Sequence, residues 1–258
     1  MATEYKAPAV EKLFDILELM VENNCTYSLI ELSKRLKIST NSVFRIIKEM
    51  EHRNYVVRTL EGTYELTPKI YYLGSKISDR IDVVNLSKGI LKELSATTKE
   101  TVLIAVLDEK YNTLVLNQVI SPLSVKFIST PGMSYPTHCS AMGKAILAYD
   151  KSGIADKLEL TKMTGSTITD YEEFIRELEN VQRVGFASDM EESFEGLRCI
   201  GAPVFSFNNN VVCAIGISGP SFRMTRENMK SHSFEITKKA LELSKLFGYK
   251  EGDMNETD

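Results

Sequence analysis

The stretch STNSVFRIIKEMEHR, from Ser39 to Arg53, decides the fold of the N-terminal part of the chain. At about 100° per residue its aliphatic side chains share one helical face and its polar and basic side chains share the opposite face. The first face holds Val43, Ile46, Ile47 and Met50, and the second holds Asn41, Arg45, Lys48 and His52. The stretch therefore predicts an amphipathic helix with a cationic outer edge.

The flanking segments place this helix in a larger motif. Pro8 opens an earlier helical pattern, and Ser28–Glu31 has the spacing of a capping box at the start of a second helix. After the third helix, Tyr55–Arg58 and Thr63–Leu66 flank a Glu61-Gly62 turn, which predicts a β-hairpin. Two helices, a short turn, a third helix and a hairpin are the order of a winged helix-turn-helix, and we assign it to residues 1–67.

A linker helix is predicted next, over residues 68–85. Thr67-Pro68 supplies an N-cap followed by proline at the first helical position. Apolar residues then step by three and four, as in a narrow coiled-coil seam: Ile70, Leu73, Ile77, Ile81 and Val84. Such a seam fits pairing with a second copy in a dimer, or packing on the C-terminal domain of its own chain.

The sequence of residues 86–250 predicts a domain with both helices and strands, so the expected fold class is α+β. Strands are expected at Thr101–Leu107, Thr113–Gln118, Ser124–Thr130, Phe186–Met190, Cys199–Phe205 and Val211–Ser218. Helices are expected at Ser140–Tyr149, Tyr171–Val184 and Thr225–Phe247. The polar, acidic end, residues 251–258, is expected to be a flexible tail.

Composition and cysteine usage indicate a cytoplasmic protein that does not enter a membrane. Of the 258 residues, 43% are hydrophobic, and no stretch approaches the roughly 20 apolar residues of a transmembrane helix. No apolar signal core follows the N-terminus. The four cysteines, Cys25, Cys139, Cys199 and Cys213, are scattered, which fits reduced thiols better than a disulfide framework.

The charge is unevenly distributed along the chain. Between Lys34 and Arg58 there are seven basic residues and two acidic ones, whereas the whole chain carries a net charge of −4. A local basic patch on an acidic protein is typical of phosphate contact. A solvated helix face is the other interpretation, and charge alone leaves both open.

Several ordered motifs resemble the IclR family of bacterial regulators, over about Ala7 to Gly248. They are Ala9–Leu13, Ser39–Ile47, Gly62–Leu66, Pro136–Ala148, Gly185–Ala187, Glu191–Glu192, Gly196–Val204 and Ile217–Pro220. The resemblance implies a GAF-like α/β effector-binding domain behind the winged helix, a DNA-binding homodimer or homotetramer, no catalysis and no cofactor.

A recognition helix must expose polar side chains near its N-terminus. Here these are Ser39, Thr40, Asn41, Ser42 and Arg45. Arg45 matches the arginine of the family motif, and we expect it to contact a base or an adjacent phosphate. Thr40 and Ser42 are expected at phosphates, and Lys48 and, through the wing, Arg58 at the DNA backbone. Phe44 is expected to belong to the core.

The resemblance also implies an effector pocket on the GAF-like sheet. Its residues would be Phe127, Tyr135, Ser140, Ala141, Met142, Asp189, Leu197, Cys199, Gly216 and Ser218. Free N–H groups at Ser140–Met142 would attract an anion, and Asp189, Cys199 and Ser218 would hydrogen-bond the ligand. Gly216 stands where relatives that bind small keto-acids have serine, which we interpret as opened space. The effector is expected to be an organic acid, a sugar acid or an aromatic metabolite.

One constellation favours other classes of protein. His138, Asp189 and Cys199 could hold Zn²⁺ or imitate a Cys-His-Asp catalytic set. No short ligand motif supports either, so we expect no metal. A metal- or redox-responsive regulator, and a hydrolase that uses Cys199 and His138, remain the alternatives to a ligand-responsive regulator that binds a palindromic double-stranded operator of a carbon-source catabolic operon.

Overall fold

A computed structural model describes residues 7–22, 26–78 and 83–250 of the chain. The chain divides into two units, Met1–Ile81 and Asp82–Asp258, each with its own hydrophobic core. The fold class is α+β, as predicted. The tail at 251–258 and Ile81 of the predicted linker seam lie outside the described residues.

The N-terminal unit has the predicted order of elements. They are α1 (Pro8–Glu22), α2 (Leu29–Leu36), α3 (Thr40–His52), β1 (Val56–Arg58), β2 (Tyr64–Leu66) and α4 (Lys69–Ser78). The strands β1 and β2 pair antiparallel, with Val56 opposite Leu66. Aliphatic residues of the three helices and both strands form one core, which includes Ile16, Leu32 and Ile47. This is a winged helix-turn-helix.

Local capping sets the turn between α2 and α3. Ser28 and Glu31 form the predicted capping box: Ser28 N–H donates to the Glu31 carboxylate over 2.8 Å, and Glu31 N–H donates to Ser28 Oγ over 3.3 Å. Lys37 ends α2 in the left-handed region with φ 55°. Ser39 then caps α3 by accepting from Ser42 N–H. Stop and start signals only two residues apart make the turn tight.

The C-terminal unit is built on one antiparallel sheet. Its strands are β3 (Thr101–Leu107), β4 (Thr113–Val119), β5 (Ser134–Tyr135), β6 (Ala187–Met190), β7 (Leu197–Phe205) and β8 (Val211–Pro220). Its helices are α5 (Val83–Thr98), α6 (Ala141–Leu147), α7 (Tyr171–Val184) and α8 (Arg226–Leu246). The strand order is β5-β4-β3-β8-β7-β6. The edge strands are β5 and β6, so the chain crosses from one edge of the sheet to the other between them.

Helices cover both faces of this sheet. On one face, α5 and α8 contribute Leu91, Leu94 and Ile236 to a core with Ile200 and Ile215. On the other face, α6 and α7 form a second core, in which Phe174 is fully buried. No helix among the described ranges is long and apolar enough to cross a bilayer.

Glycines let α6 lie directly on the sheet. A Cβ on Gly201 of β7 would stand 2.5 Å from the carbonyl oxygen of Ala141 and 2.6 Å from the amide nitrogen of Met142. A Cβ on Gly143 would stand 2.4 Å from the carbonyl oxygen of Thr137. Both contacts are with backbone, which cannot rotate away. The close approach fixes the start of α6 against β7.

We expect Gly201→Ala to lower the free energy of unfolding by about 1–3 kcal/mol, because α6 must be lifted off the sheet. Thermal denaturation measures the loss. Gly89→Ala in α5 is the matched control, since its Cβ would meet nothing within 4 Å. That change should be neutral or stabilising by roughly 0.5–1 kcal/mol. Equal melting temperatures for the two variants would contradict the close approach.

The predicted strand Ser124–Thr130 is wrong. This segment has no regular secondary structure, and β4 pairs at its free edge with the short β5 instead. Side chains hold its backbone: Thr101 Oγ1 donates to the Phe127 carbonyl and an Arg223 N–H donates to the Val125 carbonyl, both over 2.7 Å. These bonds replace a strand ladder and bring Phe127 over the sheet.

Candidate functional site

The outer face of α3 is exposed along its length, as the sequence predicts. Val43 and Ile47 are fully buried, whereas Asn41, Arg45 and Lys48 are exposed. Helix α3 therefore turns its aliphatic stripe to the core and presents a polar edge to solvent. This is the arrangement a recognition helix needs to enter a major groove.

The basic residues of this patch differ in whether they form ion pairs within the protein. Lys48 Nζ lies 2.7 Å from Glu51 and Arg53 Nε lies 2.5 Å from Glu49, so the two acidic residues of the patch neutralise two of its seven cations. The other five make no ion pair with any residue in the described ranges: Lys34, Arg35, Lys37, Arg45 and Arg58. Arg45, near the start of α3, is thus an exposed cation that no acidic residue of the described ranges neutralises.

The hydroxyls at the start of α3 are partly engaged within the protein. Ser39 Oγ donates to Ser42 Oγ over 2.9 Å, and Thr40 Oγ1 donates to Ser33 Oγ over 3.1 Å. Ser33 in turn donates to the Ile38 carbonyl. A phosphate contact from Thr40 requires its proton to leave Ser33, whereas Ser42 keeps its proton available.

The wing places Arg58 at the end of β1, where it is exposed opposite Tyr64 of β2. Phe44 departs from the prediction, because 45% of its side chain is exposed. It lies one position beyond the buried stripe, and Lys48 Nζ stands 6.0 Å from the centre of its ring. The exposed aromatic ring thus belongs to the polar edge of α3 rather than to the core.

In the C-terminal unit, all ten residues predicted for the effector pocket line one cavity on the α6 side of the sheet. The volume of this cavity is about 30 Å³. Four further lining residues escaped the sequence analysis: Leu103, Val115, Ser193 and Phe194. Only Ser193 and Phe194 left a signal, since they lie between the predicted Asp189 and Leu197.

Strand register brings the polar residues of the cavity together. Asp189 of β6 pairs with Cys199 of β7, and Cys199 pairs with Ser218 of β8. Three neighbouring strands therefore contribute one row of polar side chains. Two residues further along both strands, and on the same face of the sheet, Gly201 of β7 pairs with Gly216 of β8. The sheet therefore offers a polar row beside a pair of glycines.

Asp189 is the only charged residue among those lining this cavity, and it is 1% exposed. Its carboxylate accepts from Glu192 N–H over 2.7 Å, from Ser193 N–H over 3.3 Å and from the Ser193 hydroxyl. Burial raises the pKa of Asp189, against the lowering effect of these bonds and of Lys144. None of the described residues that line the cavity is a lysine, an arginine or a histidine, so an anionic ligand finds no counter-charge among them.

A buried lysine supports the loop that carries Ser193. Lys144 of α6 is fully buried, and its Nζ lies 2.7 and 2.9 Å from the two Glu192 oxygens and 3.3 Å from Glu177. Burial raises the pKa of Glu192 to about 7, although the lysine lowers it. The carbonyl of Glu192 also accepts from Thr167 over 2.7 Å. The ion pair between Lys144 and Glu192 therefore connects the polar end of the cavity to α6.

The metal and hydrolase alternatives find little support in the geometry. His138 does not line the cavity, and its Nε2 lies 2.9 Å from the Thr161 carbonyl, to which it must donate. Burial lowers the pKa of His138. Within the described residues, no three histidine, cysteine or acidic side chains meet as a possible metal site.

The cysteine thiols of the C-terminal unit are poor nucleophiles. Burial raises the pKa of Cys199 well above its usual value, and raises the pKa of Cys139 and of Cys213 to about 12. Thiol chemistry requires the thiolate, which these environments disfavour. Cys25 lies outside the described residues.

Comparison with known protein families agrees with both halves of this description. The model of the IclR helix-turn-helix domain matches residues 9–60, and that of the bacterial transcriptional regulator IclR C-terminal domain matches residues 75–245. The chain belongs to the IclR family. IclR regulators bind DNA and small-molecule effectors, so this member is a DNA-binding transcription regulator and not an enzyme.

The relatives that this IclR member resembles are named as transcription regulators, and the sequence match covers most of their length. The HTH-type transcriptional regulator KdgR of Dickeya chrysanthemi is 31% identical over 246 residues, which cover 93% of this chain and 80% of that protein. The HTH-type transcriptional repressor AllR of Escherichia coli (strain K12) is 25% identical, over 95% of this chain and 92% of AllR.

Solved structures show the same fold. The IclR of Thermotoga maritima is 28% identical with a TM-score of 0.62, and the match covers 93% of this chain and 98% of that one. An IclR-type regulator from Silicibacter sp. TM1040 has a TM-score of 0.80 at 22% identity, covering 95% and 97% of the two chains. The second likeness bears on the fold alone.

Proposed function

We propose that this IclR member is a ligand-responsive repressor that binds a palindromic operator through α3 and takes its effector in the cavity beside α6. The observation that carries the first part is the polar edge of α3, on which Arg45 is exposed and forms no ion pair with any residue that the structure describes. The proposed DNA contacts are Ser39, Thr40, Asn41, Ser42, Arg45, Lys48 and Arg58. The proposal of repression is supported by the relative AllR, which is named a transcriptional repressor. The protein would act in the cytoplasm, where the operator is.

Two copies are needed for a palindromic operator. In a symmetric dimer the two recognition helices would lie about 34–36 Å apart, or a multiple of this, to enter successive major grooves. We propose that the predicted linker, residues 68–85, holds the copies together as a homodimer or as part of a homotetramer. On α4, Tyr71 is 81% exposed and Tyr72 57% exposed, which supplies apolar surface for such pairing.

The chemistry of the cavity narrows the class of effector. Asp189, Cys199 and Ser218 offer hydrogen bonds in one row, and apolar and aromatic side chains form the other walls. Without a cation on the walls, a carboxylate ligand would have to share a proton with Asp189. A ligand with hydroxyl groups fits the row directly. Binding would control an operon for the use of an organic acid, a sugar acid or an aromatic compound as carbon source.

The effector would act by shifting the population between two arrangements of the paired DNA-binding units. Such a ligand must bind one arrangement more tightly than the other, and the difference in free energy is the coupling to operator binding. A ligand that binds the folded protein raises its melting temperature whichever arrangement it favours, so its effect on operator binding has to be measured separately.

Two measurements test this function. Selection from a random duplex library with the full chain should recover a palindromic consensus. A thermal-shift screen with organic acids, sugar acids and hydroxylated aromatic compounds should then reveal a ligand that weakens binding to the selected duplex. A recovered sequence without two-fold symmetry, or duplexes that bind no better than random DNA, would refute the operator assignment.

Asp189→Asn should weaken that ligand roughly tenfold or more, because a charge-assisted hydrogen bond is lost. Operator binding without ligand should be unchanged. Asp108→Asn is the matched control: Asp108 also accepts two backbone N–H groups, from Lys110 and Asn112, but lines no part of the cavity. Isothermal titration measures both affinities, and an equal loss in the two variants would argue against a contact from Asp189.

A further inference from the structure

Met142 fills the space that the absence of a side chain at Gly216 leaves. A Cβ built on Gly216 would lie 2.7 Å from Cγ and 2.8 Å from Sδ of Met142. The sequence interpretation of Gly216 as opened space is therefore wrong, because the thioether already occupies that position. Both residues line the cavity, and Met142 is 7% exposed.

The position of Met142 relative to the polar row follows from the sheet. Gly216 and Ser218 lie two residues apart on β8, on the same face and thus roughly 7 Å apart. Gly216 pairs with Leu103 of β3 on one side and with Gly201 of β7 on the other. The cavity thus has a hydrogen-bonding end at Ser218 and an apolar end beneath Met142.

The volume of the cavity gives Met142 its importance. The cavity volume is about 30 Å³, whereas pockets that take small-molecule ligands have roughly 300–1,000 Å³. A ligand of ordinary size must therefore displace a side chain. Methionine is unbranched, with three rotatable bonds and a polarisable sulfur that contacts aromatic rings favourably. Among the residues at the apolar end, Leu103 and Val115 lack that freedom.

We propose that the Met142–Gly216 pair determines the ligand specificity of this cavity. Met142 is an adjustable wall: the apolar end of a ligand moves it aside, while the hydroxyl end bonds to the row at Asp189 and Ser218. The ligand class is a small amphipathic molecule with hydroxyl groups at one end and a carbon chain or ring at the other. This inference rests on the proposed effector function and deepens it.

The experiment compares the full-length wild type with Gly216→Ser, Met142→Ala and the double variant. Each is titrated with lactate, gluconate, benzyl alcohol and tyrosol. The wild type should bind tyrosol best. Gly216→Ser should lower Tm by roughly 4–8 °C, because the new side chain pushes Met142 into the cavity. It should also lose tyrosol binding at least tenfold, since the space for the ring is then taken.

The double variant should restore both properties. Removing the thioether makes room for the serine, so the two changes together should lower Tm by clearly less than the sum of the single losses. Binding of lactate should be about tenfold tighter than in the wild type, because the serine hydroxyl adds a hydrogen-bonding group next to the row at Ser218. Met229→Ala is the matched control, a methionine that is 8% exposed in the core on the opposite face of the sheet. It should lower Tm without changing the order of ligand affinities.

Each other result decides against a definite claim. Additive losses of Tm mean that Met142 and Gly216 do not share one space. Coupled losses with an unchanged order of ligands mean that the pair is structural only. If no probe binds any variant while operator binding is intact, the specificity proposal fails and the regulator assignment stands. If no duplex is bound, the proposed function itself fails.

Discussion

Arg45→Ala is expected to abolish specific operator binding and to leave the melting temperature of the protein unchanged. The guanidinium is exposed on the outer face of α3 and has no ion-pair partner within the described residues, so its removal breaks no ion pair there. A bidentate contact from arginine to a base is worth about 1–3 kcal/mol. A palindrome loses it at both half-sites, which amounts to roughly 30-fold to 10⁴-fold in affinity.

Two neighbouring cations serve as controls for this prediction. Lys48 and Arg53 are paired with Glu51 and Glu49 on the same helix. Their alanine variants should bind the operator more weakly by less than about tenfold, and a phosphate contact from Lys48 would lower the salt dependence by roughly one counterion per half-site. Footprinting on the selected duplex distinguishes the three variants. Normal protection by the Arg45 variant would overturn the assignment of α3.

The elements that the sequence predicts well are those fixed by neighbours along the chain. The capping box at Ser28–Glu31 and the cap at Ser39 depend on residues three apart, and both are present. The buried face of α3 follows from a helical period that the apolar residues from Val43 to Met50 keep for about two turns. Such signals need no knowledge of what the element packs against.

The errors concern residues whose environment is set by distant parts of the chain. The strand expected at Ser124–Thr130 has β-branched and aromatic residues, but Arg223, almost a hundred positions away, binds its backbone instead. Phe44 lies beside a buried stripe, yet its ring stays exposed. Local pattern cannot contain either fact.

The cavity shows the same division. Its ten predicted residues came from family resemblance, and the pairing of Asp189, Cys199 and Ser218 across three strands confirms that they are neighbours. The resemblance could not show that Met142 occupies the space above Gly216, because this depends on the distance between α6 and β8. Nor could it show that Lys144 is fully buried, since a lysine on a short helix is ordinarily solvated.

Lys144→Met is expected to lower the free energy of unfolding by about 3–5 kcal/mol, the usual result of removing one partner of a buried ion pair. Methionine nearly preserves the volume and length of the lysine, so the loss reports the charge. It leaves Glu192, whose side chain is 7% exposed, without the cation that lies 2.7 Å away. Glu177 is 22% exposed and contributes less, because water can solvate it.

The deficit of this variant should depend on pH in a defined direction. Burial already raises the pKa of Glu192 to about 7, and loss of the lysine raises it further because the charged form loses its partner. Since a carboxyl raised in the folded state adds stability below its unfolded pKa and loses it as pH rises through the folded value, the deficit should be larger near about pH 8 than near about pH 6. Asp189, whose pKa burial also raises, shifts the deficit in the same direction.

Urea denaturation at both pH values measures this deficit in the free energy of unfolding. The double change Lys144→Met with Glu192→Gln removes both charges and should recover much of the stability with little pH dependence. A deficit that grows on acidification would show that the pair does not set the stability of this loop.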